Sequence, residues 1–292
     1  MQYFWKVIFV FTSVLFILAC SLTASPSSAT QTPIISPPGN TPLSAPTNSP
    51  VAQPTNTVAP EGLQVTFASV SLVIPIGLAH GATGEQVAEV NANNGAPWEV
   101  APAHVKLTFN GYPLPGTMWE PVLHSYPAVQ FSTMDDGAAQ SITSLKSVIS
   151  GPTSLPNHLP FLPLINAGQV FYAHAQILQF KNGTGISYIT QFDQAPLPIN
   201  NHELFYTFQG LTRDGNYYIS LTLPINSPLL PADNNPNSPV PSGGVAFDQN
   251  DFSKFTKYLS DVINLLNSAS PDSFSPPLPT MYKLVNSISV TP

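Results

Sequence analysis

The sequence predicts an α+β fold with a predominantly antiparallel sheet and two helices. Four runs of alternating side chains, separated by turn signals, predict a four-strand meander near residues 169–224. Apolar residues recur at helical spacing in two other stretches, at about 138–150 and 251–267. Hydrophobic residues make up 43% of the 292-residue chain, which is enough for a domain of ordinary size to bury a core.

The meander is the clearest strand pattern in the chain. Asn182-Gly183 and Asp214-Gly215 are hairpin signals, because such pairs adopt the backbone angles of tight turns. The four runs that these and one longer loop connect are Gln169–Phe180, Gly185–Phe192, Leu204–Gln209 and Tyr217–Leu223. The third run carries bulky side chains on both faces, so we expect both faces of the sheet to be at least partly covered.

Shorter alternating runs precede the meander. The run that starts near Leu63 changes phase at Ala68-Ser69, which indicates a bulge or a bend between two strand segments. A further strand, His104–Phe109, ends at the Asn110-Gly111 turn, and another covers Pro121–Tyr126.

Capping residues mark the ends of the two helices. Asp135 or Asp136 can cap the first helix, and Gly151-Pro152 stops it. Asn250 or Asp251 can cap the second, whose apolar stripe should pack across the sheet. The closing segment, MYKLVNSISV, predicts a short helical turn and a last strand.

Residues 1–19 predict a signal peptide. Its apolar run, Val7–Ala19, is about a dozen residues long, which fits a secretion signal and falls short of the about 20 residues that span a bilayer. The run ends in Ile17-Leu18-Ala19-Cys20, which resembles the lipobox of bacterial lipoproteins. This resemblance implies lipidation of Cys20 with a diacylglyceryl unit, whose two acyl chains, such as palmitate, give a stable anchor. The alternative is a small, inert cysteine at the end of a plain signal peptide or membrane helix.

The rest of the chain divides into a tether and a domain. Cys20 is the only cysteine, so no intrachain disulfide can form and a Cys-rich metal site is excluded. Residues 20–61 are almost wholly Ser, Thr, Pro, Ala, Asn and Gln, a composition typical of a disordered tether. We expect residues 62–292 to form a single extracytoplasmic globular domain.

Charge and motifs exclude two classes of partner. The chain has 8 Lys and Arg against 15 Asp and Glu, a formal net charge of −7, whereas nucleic-acid binding needs a clustered basic surface. It contains no GxGxxG pattern or phosphate loop, so we expect no nucleotide cofactor.

Two resemblances accompany these patterns. The order of antiparallel strands, long helix and closing segment Leu284-Val285-Asn286-Ser287-Ile288 resembles the PsbP-like arrangement over the last third of the chain. The whole chain looks like lipoproteins of the Chloroflexota type, which carry a lipobox and a Pro/Thr-rich tether. The segments that carry this likeness are HVKLTFNGYPL and INNHELFYTFQGLTRDGNYYISLTLPINSPLLP. It implies an address in the cell envelope and no particular chemistry.

Four residues are candidates for ligand binding. His124 lies on a predicted strand near Glu120, and a histidine beside carboxylates can bind a metal or act as a base. The alternative is a polar residue on the solvent side of that strand. His174 either lines a cleft or is a hydrogen-bonded histidine of the sheet. His202 and Glu203 lie in the loop before the third meander strand. They either contribute to a ligand-binding site or form the hydrogen bonds of a turn.

Two further patterns have a functional and a plain structural interpretation. Asp233, Asn235 and Asn237 place oxygen ligands at alternate positions, as calcium loops do, although Ser238 and Gly244 depart from the calcium-loop pattern. The alternative is a flexible Asn/Pro loop, and we expect no other cofactor. An aromatic run forms either a stacking surface or the core of the sheet; its members are Phe205, Tyr206, Phe208, Tyr217 and Tyr218.

Together these patterns predict a membrane-anchored, extracytoplasmic lipoprotein whose domain binds a ligand or partner, with an envelope protein or a glycan as the expected partner. Enzymatic activity is left open, with a non-enzymatic module favoured. The first alternative is a cell-wall or polysaccharide hydrolase with two facing carboxylates, drawn from Glu120, Asp135, Asp136, Asp193 and Glu203. The second is a structural or assembly lipoprotein that acts through protein contacts.

Overall fold

A computed structural model describes residues 55–59, 62–151 and 154–291 of the chain. These residues form a four-stranded and a seven-stranded sheet, both antiparallel, together with α-helices, which confirms the α+β fold. The signal peptide, Cys20 and most of the tether, as assigned from the sequence, lie outside the described residues. Within these ranges, the structure contains no helix that combines the length and the hydrophobicity of a membrane span.

The smaller sheet has the strand order β1-β2-β3-β11. Its strands are β1 (Thr55–Ala59), β2 (Gly62–Phe67), β3 (Val70–Pro75) and β11 (Ser289–Val290). The bulge or bend expected at Ala68-Ser69 is wrong: the chain reverses there in a tight hairpin, with Ala68 at a φ of 49°. Phe67 and Val70 are paired across this turn, and both side chains are buried. The alternation of apolar residues along the sequence therefore changes phase at a chain reversal just as it does at a bulge. Strand β1 lies inside the span assigned to the tether and pairs with β2.

The larger sheet has the strand order β4-β5-β6-β10-β9-β8-β7. Its strands are β4 (Gly81–Val87), β5 (His104–Asn110), β6 (Val122–Pro127), β7 (Gly168–Phe180), β8 (Gly183–Asp193), β9 (Phe205–Thr212) and β10 (Tyr217–Pro224). Strands β7 to β10 are consecutive antiparallel neighbours, which confirms the predicted meander. Strand β6 then pairs with β10 and extends the sheet toward β5 and the edge strand β4.

Within the part of the chain that the structure describes, four helices cover the larger sheet. Helices α1 (Ala128–Met134) and α2 (Asp136–Ile149) share one cluster of buried side chains with Tyr126, Tyr188 and Tyr218 of the sheet. On the other face, helices α3 (Phe255–Ser268) and α4 (Leu278–Ser287) and the smaller sheet build the main core. Both faces are therefore covered, as expected from the bulky side chains of β9.

The helix ends agree with the predicted caps in part. The Asp135 side chain accepts a hydrogen bond of 2.8 Å from the Ala138 amide and caps α2. The Asp251 side chain caps a single 3₁₀ turn, after which α3 begins at Phe255 and not near residue 251. The apolar stripe of α3 also includes Phe252 in the 3₁₀ turn. The spacing of apolar residues therefore predicts a helix that begins before the observed one. The closing segment forms α4 and β11, as expected.

The aromatic run on β9 and β10 belongs to the core. Phe205, Tyr206, Phe208 and Tyr218 are at most 1% exposed, and Tyr217 is half-buried. The interpretation of this run as a stacking surface for a ligand is wrong, because its rings pack inside the sheet layers.

Candidate functional site

A cleft of about 440 Å³ lies at the β4-β5-β6 end of the larger sheet. We call it the histidine cleft. Strand alternation places His104 and Lys106 of β5, and His124 and Tyr126 of β6, on the same face of the sheet as helices α1 and α2. The remaining wall residues are Glu85, Val87, Ala88, Val90, Trp98, Glu99, Val100, Ala101, Pro163 and Leu164.

Strand register sets a row of polar side chains on the floor of the cleft. Lys106 is paired with Glu85 on one side and with His124 on the other. The Lys106 ammonium also lies 2.8 Å from the Glu120 carboxylate, whose side chain is half exposed. Acidic, basic and imidazole groups therefore lie next to one another across three strands.

The segment between β4 and β5 forms one wall. Val90 and Ala101 exchange two backbone hydrogen bonds of 2.9 Å, which close this segment into a loop. Within it, a 3₁₀ turn over Pro97–Glu99 is held by the Glu99 carboxylate, which accepts a bond of 2.8 Å from the Ala96 amide. The turn presents Trp98, whose side chain is 43% exposed although it is large and apolar. Tryptophan is enriched at binding surfaces, because its ring is apolar and its N–H can donate a hydrogen bond.

A second wall is fixed to the sheet by buried polar side chains. The Gln209 side-chain oxygen accepts a 3.1 Å bond from the Leu162 amide, and the Ser220 hydroxyl donates to the Leu162 carbonyl. The Tyr188 hydroxyl donates a 2.8 Å bond to the Pro160 carbonyl. These bonds hold the loop that supplies Pro163 and Leu164 to the cleft, so this wall is preformed.

His104 and His124 form a directly contacting pair. His104 Nε2 lies 3.1 Å from His124 Nδ1, and His104 Nδ1 lies 2.8 Å from the Pro102 carbonyl oxygen. A carbonyl only accepts, so the hydrogen-bond pattern assigns the proton of neutral His104 to Nδ1. His124 Nδ1 then donates to His104, and His124 Nε2 is left as an acceptor.

Burial keeps both rings neutral. It lowers the pKa of His104, and it lowers the pKa of His124 to about 3, with smaller contributions from His104 and Lys106. The Tyr126 ring packs on both imidazoles, with its centroid 4.3 Å from that of His104 and 5.4 Å from that of His124. The cleft is therefore lined near neutral pH by two uncharged imidazoles, bordered by an aromatic face.

The other predicted histidines lie elsewhere. His174 interrupts the β7 ladder at a bulge with a φ of 51°, its amide donates to the Asn267 side chain, and its Nε2 lies 2.6 Å from the Leu266 carbonyl. These contacts tie the end of α3 to the sheet and give His174 a structural role. His202 is exposed, and its backbone bonds to Met118 and Ala232 connect two loops.

Glu203 is 6% exposed and lies at the centre of an amide network. Its Oε2 accepts bonds from Gln191 at 2.9 Å and Asn200 at 3.0 Å, and its Oε1 accepts one from Asn234 at 2.8 Å. The same Gln191 nitrogen donates a 2.7 Å bond to Asp193. Burial, and to a lesser extent the Glu203 charge, raise the pKa of Asp193 to about 6, while the bond from Gln191 opposes this shift. The network joins the loop before β9 to β8.

The five acids proposed for a hydrolase do not form a cleft. Glu120 pairs with Lys106, Asp135 caps α2 and Asp136 lies in the first turn of that helix. Asp193 and Glu203 come together through Gln191, but the buried Glu203 carboxylate already accepts hydrogen bonds from three amide side chains. This arrangement gives no support to a pair of acids that face each other across a substrate.

Two of the oxygens of the proposed calcium loop accept hydrogen bonds from within the loop. Asp233 Oδ1 accepts bonds from the Asn235 amide and the Ser238 hydroxyl, and Asn235 Oδ1 accepts one from the Asn237 amide. The bond from Ser238, ahead of that from Asn235, lowers the pKa of Asp233. Within the described ranges, no group of three or more His, Cys, Asp or Glu side chains is placed to share a metal ion. Calcium binding at this loop stays a prediction without structural support.

Comparison of the chain with protein-family models, with curated proteins and with solved structures finds no match. The PsbP-like and Chloroflexota-type resemblances therefore stay predictions. Of the four predicted ligand residues, only His124 lines the histidine cleft. Sequence reasoning missed His104, Trp98 and Lys106. His104 and Lys106 could have been found from one signal in the sequence. They occupy alternate positions of a predicted strand, so their side chains lie on the same face of the sheet.

Proposed function

We propose that this chain is a lipid-anchored, extracytoplasmic protein whose domain binds a short glycan in the histidine cleft. The lipobox-like sequence that ends in Cys20 and the Pro-rich stretch after it support the proposed lipid anchor and extracytoplasmic location. The observation that carries the binding function is the convergence of an exposed tryptophan, a buried tyrosine, two neutral imidazoles and charged groups in one cleft.

The chemistry of the lining favours a sugar over a lipid. Trp98 offers an aromatic surface on which the apolar face of a sugar ring can pack. Around it, His124 Nε2 and the Glu85 and Glu99 carboxylates can accept hydrogen bonds from hydroxyl groups, and Lys106 can donate. A lipid chain would leave these polar groups buried and unpaired, at a cost of about 1–3 kcal/mol each.

The existence of a formed cleft also weighs against a purely structural role. A lipoprotein that acts through protein contacts needs an exposed apolar patch and has no need for a lined cavity with preformed walls.

A thermal-shift screen of the full-length chain tests this function. The panel contains peptidoglycan fragments, neutral and acidic oligosaccharides, lipids, calcium and zinc. We expect a saturable rise in melting temperature with one class of sugar, because a ligand that binds only the folded state stabilises it by mass action.

Two variants make the screen specific for the cleft. Trp98→Ala should abolish the rise, whereas Phe252→Ala should keep it, since Phe252 is 58% exposed and does not line the cleft. A cooperatively melting protein that no sugar stabilises would overturn the proposal, as would a rise that Trp98→Ala leaves unchanged.

A further inference from the structure

The two imidazoles of the histidine cleft have the separation of two ligands on one metal ion. His104 Nε2 and His124 Nδ1 are 3.1 Å apart. Zinc–imidazole bonds of about 2.0–2.1 Å, in a tetrahedral arrangement, place two ligand nitrogens about 3.3 Å apart. The ion of such a site lies off the line that joins the two nitrogens, so its binding requires both rings to turn toward it, together with a shift of a few tenths of an ångström in their separation.

The surroundings of the pair resemble those of metal-binding histidines. A metal-ligating histidine usually donates its other ring N–H to a carbonyl or carboxylate, which fixes its orientation. His104 does this through Nδ1, which lies 2.8 Å from the Pro102 carbonyl oxygen. The Tyr126 ring packs on both imidazoles and restricts their rotation. The two facing ring nitrogens are thus held next to each other before any ion binds.

We infer that His104 and His124 together bind a divalent transition-metal ion of the copper or zinc class in the histidine cleft. Nitrogen ligands select these ions over magnesium or calcium, and copper should bind most tightly. The proton on His124 Nδ1 moves to His124 Nε2 when the ion binds, so the ring stays neutral and both facing nitrogens offer a lone pair.

Two protein nitrogens leave the remaining coordination positions open. Among the described residues, no third His, Cys, Asp or Glu completes a ligand group. Water or a molecule in the cleft would fill the open positions, as in sites that keep an exchangeable ligand. We therefore expect an ion that enters and leaves readily, not one that is needed for folding.

Metal titration of the untagged, full-length chain tests the inference. Cu²⁺ and Zn²⁺ are the probes and Mg²⁺ is the negative control. His104→Phe and His124→Phe keep a ring in each position and remove its nitrogens, and each should weaken binding of Cu²⁺ at this site at least tenfold. His202→Phe is the matched control, since His202 is exposed and lies outside the cleft. Cys20 is present in every variant, so any ion that it binds cancels in the comparison.

A spectroscopic readout covers the case in which a variant fails to fold. Pulsed electron paramagnetic resonance of wild-type chain with one equivalent of Cu²⁺ should show coupling to two imidazole nitrogens. Wild-type affinity in both His→Phe variants, or a spectrum without two coupled imidazoles, would show that the pair is only a hydrogen bond between rings. This inference does not rest on sugar binding: the metal titration contains no sugar, and the sugar screen is decided by Trp98→Ala.

Discussion

At the scale of single residues, Asp193 shows what burial does to a carboxylate. It shares the Gln191 amide with Glu203, and burial is the main reason that its pKa is raised to about 6. A carboxyl whose pKa is higher in the folded than in the unfolded chain binds its proton more tightly when folded. It therefore lowers stability above pH 6, and this cost disappears as the pH falls toward 4.

Asp193→Asn should raise the free energy of unfolding at pH 7 by about 1 kcal/mol. This value is smaller than the free energy equivalent to the whole pKa shift, because the Asp193 carboxylate is partly solvated. The gain should shrink toward zero at pH 4, where the native Asp193 is protonated. Urea unfolding at the two pH values measures both quantities.

Asp214→Asn is the control with the opposite sign. Hydrogen bonds, first from the Thr212 hydroxyl and then from the Asn216 amide, lower the pKa of Asp214, so its loss should destabilise the protein at pH 7. If Asp193→Asn were also less stable than wild type at pH 7, the account of the raised Asp193 pKa would be wrong.

The histidine pair contains one residue that the sequence identifies as a candidate and one that it does not. His124 is predictable as a candidate because it is a polar residue on a recognisable strand. Its partner His104 is 20 positions away, and the loop between β5 and β6 leaves their register open. The pairing Lys106↔His124 is set by packing of the two strands on the core, and alternation within one strand carries no information about it.

At the scale of elements, the Asp135 cap of α2 is a local feature with a measurable effect. Its side chain satisfies the Ala138 amide, one of the donors that a helix N-terminus leaves without a partner. Asp135→Ala should lower the free energy of unfolding by about 1 kcal/mol, which a urea titration measures.

Asp136→Ala is the matched variant, since Asp136 lies one position further along and is the first residue of α2, not its cap. It should cost less, through the weaker interaction of a carboxylate with the helix dipole. Equal losses in the two variants would contradict the assignment of the cap.

The elements that sequence patterns predict are those with strong local signals. The meander has regular alternation and turns such as Asn182-Gly183, so its four strands are readable. Strand β4, GATGEQV, has two glycines and little apolar alternation, and it forms because β5 offers it a free edge. Helix α1 starts directly after β6 with Ala128-Val129, and its β-branched residues do not distinguish helix from strand.

At the scale of the whole molecule, the proposed location in the cell envelope depends on one group, the thiol of Cys20. Cys20 is the only cysteine, so a label that reaches a cysteine of this chain can only be at that position. Cells that express the chain with labelled palmitate should yield a labelled protein in the membrane fraction. Cys20→Ala should remove the label and release the protein from the membrane, whereas a labelled variant would contradict lipidation at Cys20.

The central claim is that ligand binding takes place in the histidine cleft, and hydrogen exchange with mass spectrometry tests it most directly. The full-length chain is compared with and without a saturating sugar from the screen. The account predicts slower exchange in β5, β6 and the segment 88–101, with no change in the loop 245–255, which lies outside the cleft. Protection centred on any other surface, with the cleft strands unchanged, would contradict it.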